Sequence, residues 1–312
     1  MVPPSVPANE NLNFQQSMGH FPSVLCRLKT IDEQDTMFSF RKTISTPLRI
    51  AIFGRYKSGT TMLFYVIKDA LPSKSRLLFE EQQYTFRRRD QYLPVLAKVI
   101  LGESEDGHDV DYESFLAFEK RVYLIRDPRD WLVSGTLFLI SQHVTQHSNQ
   151  QTISSILKLL KQKEADSSSV ALVTILEETL KCLPGKSLAQ TLDGLNRAMA
   201  WQFAFEKKLG DHIRVKYEDI IDNKYLALSD YLGLSVKGCR GVDAAHSHVP
   251  RTGSYGNWRD WLLPQDVELF QPIFDPFIRR YQYETSWEVN PVQNVQAEHC
   301  SQYVERTMRQ SS

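Results

Sequence analysis

Apolar residues in this chain fall into short unbroken runs separated by longer amphipathic stretches. Residues 48–53 (LRIAIF) are branched and apolar without alternation, the pattern of a strand buried on both faces of a parallel sheet. Residues 60–71 (TTMLFYVIKDAL) stay largely apolar and free of glycine and proline until Pro72, which predicts a buried helix. Further short runs predict strands at 76–79 (RLLF), within 92–100, at 121–125 (RVYLI) and at 213–217 (IRVKY). Residues 135–210 read as mainly helical, with breaks at 142–151 and 182–186. The last helix of that stretch carries Leu192, Leu195, Ala198, Phe203 and Phe205 and stops at Gly210. A final helix starts near Pro264 and runs toward Tyr281. Short buried strands alternating with helices predict an α/β fold, a central parallel sheet flanked by helices, over residues 48–290. Residues 1–47 read as an N-terminal arm, polar and proline-rich to residue 20, followed by a covering segment without a clear period. Residues 291–312 read as a polar C-terminal tail.

Composition narrows the partners. The chain has 312 residues, enough to bury one large α/β core. Its 37 Lys and Arg balance 37 Asp and Glu, so no global field favours nucleic acid or an acidic membrane surface, and any anion site is local. Cys26, Cys182, Cys239 and Cys300 are widely spaced with no C-x-x-C pair, as expected of free thiols in a reducing compartment. No apolar run reaches membrane-spanning length, and the first residues lack the charged and apolar regions of a signal peptide. The expectation is a soluble, cytoplasmic protein with neither nucleic acid nor membrane as partner. His143 and His147 read as surface or cap residues, and no metal-ligating set forms.

Three stretches place anion chemistry at strand ends, where open parallel sheets bind their ligands. The first is Arg55-Tyr56-Lys57-Ser58-Gly59-Thr60-Thr61, a glycine-bearing turn between strand and helix. Backbone N–H groups and the positive helix terminus converge there, Lys57 adds a mobile charge, and Ser58, Thr60 and Thr61 add hydroxyl donors. A triphosphate-binding loop carries its lysine directly after the second glycine. Here Thr60 follows Gly59, and Lys57 lies two residues before it. The second stretch is Arg126-Asp127-Pro128-Arg129-Asp130-Trp131-Leu132-Val133-Ser134, in which Asp127 caps a helix beginning at Pro128. Arg126 at the strand end and Ser134 two turns into the helix can meet on one phosphate. The third is Arg251-Thr252-Gly253-Ser254-Tyr255-Gly256-Asn257-Trp258-Arg259, whose glycines let backbone approach an anion. Glu80 and Glu81 end the 76–79 strand on the ligand side, either one a general-base candidate or a solvated carboxylate. Lys98 reads as a surface lysine, with a site lysine as the alternative, and His108 as a loop residue.

The K-S-G-T-T loop resembles the 5′-phosphosulfate loop of sulfotransferases that use 3′-phosphoadenylyl sulfate (PAPS). The 126–134 stretch matches that family's 3′-phosphate motif, R-[ND]-P-[RK]-D-x-x-V-S, at every defined position. The 251–259 stretch is similar to its R-K-G-x-x-G-D-W-K lid, with Thr252, Asn257 and Arg259 as the departures. The resemblance covers residues 48–285 and implies a P-loop-like sulfotransferase fold with no metal requirement. It assigns PAPS, or its product PAP, to Arg55, Tyr56, Lys57, Ser58, Gly59, Thr60, Thr61, Arg126, Ser134, Arg251, Thr252 and Gly253, and adenine contact to Tyr217 of a Y-E-D segment. Glu80 takes the place of the glutamate base in carbohydrate and protein-tyrosine sulfotransferases, with Glu81 as the neighbouring alternative. The small-molecule enzymes' K-T-H segment and K-x-x-x-T-V-E dimer motif are absent, and Met62 stands where they carry tryptophan. The implied activity is sulfuryl transfer from PAPS to a hydroxyl or amine of a small-molecule acceptor, with Glu80 as base and Lys57 at the leaving phosphate. The alternatives are a magnesium-dependent nucleotide phosphotransferase and an inactive PAPS-binding module.

Overall fold

The computed structural model describes residues 47–102, 110–141, 150–238 and 251–310. The expected arm up to residue 46, and with it Cys26, lies outside the described residues, as do His108, His143, His147 and Cys239. Five strands, β1 (Arg49–Arg55), β2 (Arg76–Phe79), β3 (Val95–Leu101), β4 (Lys120–Ile125) and β5 (Ile213–Lys216), form one parallel sheet in the order β2-β3-β1-β4-β5. The first strand is central: after it the chain crosses to one edge, returns, and then builds the other side. The carboxyl end of β1 is therefore the point where strand order reverses, the usual ligand crevice of such sheets.

Both faces of the sheet are covered, which is why its strands read as continuous apolar runs. Ile50 and Ile52 of β1, with Leu96, Val122 and Leu124, pack under helix α1 (Thr60–Ala70). Ala51 and Phe53, with Ala97, Val99, Tyr123 and Ile125, pack under a second helical layer. That layer comprises α3 (Pro128–Leu139), α4 (Gln150–Ala165), α5 (Leu172–Lys181), α6 (Leu188–Lys208) and α10 (Pro264–Arg280), with the short helices α2 (Tyr112–Leu116) and α9 (Trp258–Trp261); α7 (Tyr217–Ile221) and α8 (Leu226–Leu232) bury Ile220, Leu228 and Leu232 in the core on the α1 face. A buried Asp266 joins two of these helices, accepting from the amides of Leu172, Val173 and Leu263 at 2.8–3.0 Å. The α/β class expected from the sequence is the class observed.

The C-terminal tail is a correction. Residues expected to be a polar tail form a 3₁₀ turn (Ala297–His299) and helix α11 (Ser301–Gln310). Val295, Cys300, Tyr303 and Val304 are buried in the second core layer, and Thr307 is buried on the same helical face. The cause is amphipathic spacing: few apolar residues suffice when they share one face, and the polar ones between them lower the mean without preventing burial. The Ser301 amide donates to Glu164 Oε1 at 2.7 Å and Lys161 pairs with Glu305 at 3.1 Å, fixing α11 against α4. The compact unit Ser45–Ser312 thus runs past the boundary expected at 290. No helix among the described residues is long and apolar enough to cross a membrane.

Candidate anion-binding and transfer site

The turn after β1 is built by backbone geometry. Gly59 caps α1 with φ 97° and ψ 13°, a left-handed conformation that side-chain-bearing residues rarely adopt. A Cβ there would also lie 2.4 Å from Cδ2 of Tyr217, so only glycine allows the tyrosine ring to seat on the loop. The first intrahelical bond runs from the Leu63 amide to the Gly59 carbonyl at 3.0 Å, which leaves the amides of Thr60, Thr61 and Met62 without intrahelical partners. Ser58 Oγ donates to the Arg55 carbonyl at 2.6 Å, closing the turn. Lys57 itself stands at φ 59°, one of four non-glycine residues with positive φ among the described residues; Glu80, at φ 60°, is another. Such backbone strain concentrates at sites where a side chain must be aimed.

Four cations gather at this turn. Burial, then the charges of Arg126, Arg251 and Lys98, push the Lys57 amine down to about 7. Arg251 is pushed down to about 10 by burial and then by Arg126. Arg126 and Arg251 are each 8 % exposed. Arg126 donates through Nη1 to the Lys57 carbonyl at 2.8 Å and stacks on the Tyr217 ring, 4.3 Å from its centroid. Its Nε has no hydrogen-bond partner among the described residues, and neither do Nε and Nη2 of Arg251. Buried guanidinium N–H groups left unsatisfied are costly, and mutually repelling cations more so. An oxyanion seated among them removes both penalties at once. Arg126 and Arg251 thus come together around Lys57, with Tyr217 against Arg126.

The second motif and the glycine-bearing loop are tied by a residue that the sequence reading passed over. Asp130 accepts from the amides of Gly256 (2.5 Å) and Trp258 (3.0 Å), holding the 251–259 segment over the start of α3. Burial raises the Asp130 carboxyl, while Arg126 and the two amides oppose that rise. Arg129 is structural: it grips Asp127 at 2.7 Å, donates to the carbonyls of Glu284 and Ser286, and stacks on Trp258. Glu218 of the Y-E-D segment accepts from the Asp127 amide at 3.0 Å and from Tyr283 Oη at 3.1 Å, and its burial raises it to about 7. Tyr217, expected at a strand end, opens helix α7 instead.

On the β2 side the structure corrects the reading of Lys98. It is 3 % exposed, not a surface residue, because the parallel register sets it opposite Phe79 and Ile52 in the sheet. Its Nζ donates to Glu80 Oε1 at 2.5 Å and to Thr61 Oγ1 at 2.8 Å, and lies 3.9 Å from the Phe79 ring centroid. Burial lowers the Lys98 amine, and Glu80 opposes that shift. Glu80, held by its strained backbone and by this ammonium, keeps an exposed side chain facing solvent. Glu81 is also exposed.

Two loop residues also pack against α3. The Arg55 guanidinium stacks on Trp131, 3.8 Å from its centroid, and lines a small pocket that it shares with Ser58, Arg126, Met199, Gln202 and Phe277. The Tyr56 ring packs on Trp131 and Phe138, and its carbonyl accepts from Trp131 Nε1 at 2.8 Å. Both side chains thus pack on α3 and anchor the turn to it. Thr60 and Ser134 are buried, Thr252 is partly buried and bonds Ser254, and Gly253 has φ 61°. Beyond Tyr56 lies a pocket of about 390 Å³ whose wall mixes leucines such as Leu139, Leu176 and Leu195 with Lys186, Gln190 and Arg197, with neither Lys57 nor Glu80 in it. No group of three or more His, Cys, Asp and Glu side chains able to hold a metal ion occurs among the described residues.

At the level of sequence the chain matches no protein-family model and no curated protein. Among solved structures it is similar to mouse sulfotransferase SULT7A1 complexed with PAP, at 16 % identity and a TM-score of 0.43, over 74 % of this chain and 85 % of that one.

Proposed function

We propose that this protein is a PAPS-dependent sulfotransferase acting on a hydroxyl or amine of a small-molecule acceptor. The observation that carries this reading is the set of buried, partly unpartnered guanidinium groups of Arg126 and Arg251 around Lys57, on a strand-turn-helix cradle. The K-S-G-T-T and R-D-P-R-D-x-x-V-S stretches that form it support the choice of PAPS over a nucleoside triphosphate. In the proposed reaction the acceptor oxygen or nitrogen forms a bond to sulfur as the bond from sulfur to the bridging phosphate oxygen breaks. PAP leaves, and the acceptor's proton passes to Glu80. Lys57 and the loop amides offset the negative charge that builds on the departing oxygens. Lys98 holds Glu80 in place from the buried side.

Incubation with radiolabelled PAPS and a panel of phenols, alcohols and amines tests the proposal. Label is expected to move to an acceptor with or without a chelator. PAPS that neither binds nor transfers label, or transfer that stops in chelator and returns only with magnesium, overturns the reading.

Electrostatic linkage supplies a further test. A bound polyanion stabilises the Lys57 ammonium, whose free-state value is about 7. Below that pH the ammonium is already formed, and Lys57 adds no further pH dependence to PAP affinity. Above it, binding takes up a proton, and affinity is expected to fall by up to about tenfold per pH unit. Calorimetry in buffers of different ionisation enthalpy measures that uptake at pH 8, and its absence there counts against Lys57 as an anion ligand.

A further inference from the structure

The C-terminal helix brings one more group to the cradle. Tyr303 is 1 % exposed, and its Oη accepts a hydrogen bond from Lys57 Nζ at 3.0 Å. Four residues earlier, the His299 carbonyl accepts from Arg251 Nη1 at 3.2 Å. Residues 299–303 therefore contact two of the cations that surround the turn. A phenol oxygen that receives an ammonium proton still carries its own O–H. Among the described residues no acceptor is hydrogen-bonded to that proton, and Arg251 lies close enough for its charge to act on the phenol. Lys57 meets this phenol and the Phe138 ring, 4.9 Å from its centroid. The phenol is thus a neutral acceptor for the ammonium and a donor left open beside it. An oxyanion needs both functions: a cation held in place and an O–H aimed at an oxygen.

We propose that Tyr303 is a positioning residue of the anion site, holding Lys57 through its phenol oxygen and presenting its O–H to an oxyanion bound beside Lys57 and Arg251. The oxyanion class is a sulfuryl or phosphoryl group, and its identification with PAPS rests on the function proposed above. In this arrangement α11 is a wall of the site, and the amphipathic burial of Tyr303 with Cys300 and Val304 sets the phenol's height over the turn.

The test is Tyr303→Phe, which removes one oxygen and keeps the buried ring. Two readouts separate this inference from the nucleotide assignment. The first is the pH profile of Lys57 acylation by a small reagent, followed by peptide mass spectrometry on the ligand-free protein. The charged groups facing Lys57 are Lys98 from β3 with its partner Glu80, Arg126 from the end of β4, and Arg251 from the loop before α9; on α11, Arg306 lies behind Tyr303. All are unchanged in the variant, so a lower reaction midpoint reports the lost phenol alone. The second is calorimetric binding of PAP and, separately, of inorganic pyrophosphate. A lower Lys57 midpoint with about three- to tenfold weaker anion binding is expected, the worth of one hydrogen bond in a mostly buried site. Thr307→Val removes a buried hydroxyl of the same helix that donates to the carbonyls of Tyr303 and Val304. It is expected to leave the Lys57 midpoint in place, whatever it does to Tm. If wild-type protein binds pyrophosphate but not PAP, the nucleotide reading fails while the Tyr303 comparison still stands on pyrophosphate. An unchanged midpoint and unchanged pyrophosphate binding in Tyr303→Phe overturn the inference. Tighter anion binding in the variant overturns it as well, since the helix would then be a plug and not a wall.

Discussion

Glu80→Gln is expected to lower turnover by about 10²–10⁴-fold while leaving PAP affinity nearly unchanged, the signature of a lost general base. The amide keeps the shape of the side chain and removes its basicity. Glu80 pairs with Lys98 at the end of β2 and belongs to none of the three anion stretches, so it is expected to contribute little to holding nucleotide. Its left-handed backbone and the 2.5 Å contact to Lys98 limit where the carboxylate can point. An exposed side chain held that firmly suits a group that must meet an incoming acceptor. Lys57→Ala is expected to act differently. It removes a charge facing both the bound phosphosulfate and the developing leaving group, so affinity and turnover fall together. Glu81→Gln tests the neighbouring position: normal turnover in Glu80→Gln with loss in Glu81→Gln moves the base by one residue. Full activity in both at saturating substrates removes glutamate from the mechanism.

The sequence made local features legible and left non-local ones hidden. The turn from 55 to 61, the Asp127 cap with Pro128 behind it, and the start of α10 at Pro264 depend on residues a few positions apart, and the structure has each of them. Lys98 was misread because VLAKVIL is an ordinary strand with one polar residue, and nothing in that run marks the residue as buried. Its burial follows from parallel pairing with β1 and β2 and from Thr61 Oγ1, 37 positions away, being present to accept from it. Asp130 was passed over for a similar reason. It reads as one acid in a charged motif, and its purpose appears only when the amides of Gly256 and Trp258 arrive from 126 and 128 positions further along. Arg55 and Tyr56 show the converse case. Their place in the turn was legible, but the direction of their side chains is decided by Trp131 on a different helix. In α11 the helical spacing of Tyr303, Val304 and Thr307 was present in the sequence, masked by the polar residues between them.

Arg126→Ala is expected to weaken PAP about tenfold to a hundredfold more than it weakens 5′-AMP, which lacks the 3′-phosphate. The estimate corresponds to one charge-assisted contact in a buried setting, about 1.5–3 kcal/mol. The comparison of two ligands is needed because Arg126 has a structural duty as well. Its Nη1 holds the Lys57 carbonyl at 2.8 Å, so the alanine variant also loosens the turn that faces the 5′ end of either nucleotide. That loss is common to both ligands and cancels in the ratio. What remains is the Nε side of the guanidinium, buried beside Tyr217 with no partner among the described residues. Arg251→Gln is expected to give a ratio of the same sign through its own unpartnered Nε and Nη2. The two effects should not add. Each arginine repels the other, so removing one relieves a penalty on its neighbour. A double variant whose loss in PAP binding is smaller than the sum of the single losses places both guanidinium groups on one phosphate. Equal losses for PAP and 5′-AMP in Arg126→Ala would instead confine that residue to holding the loop.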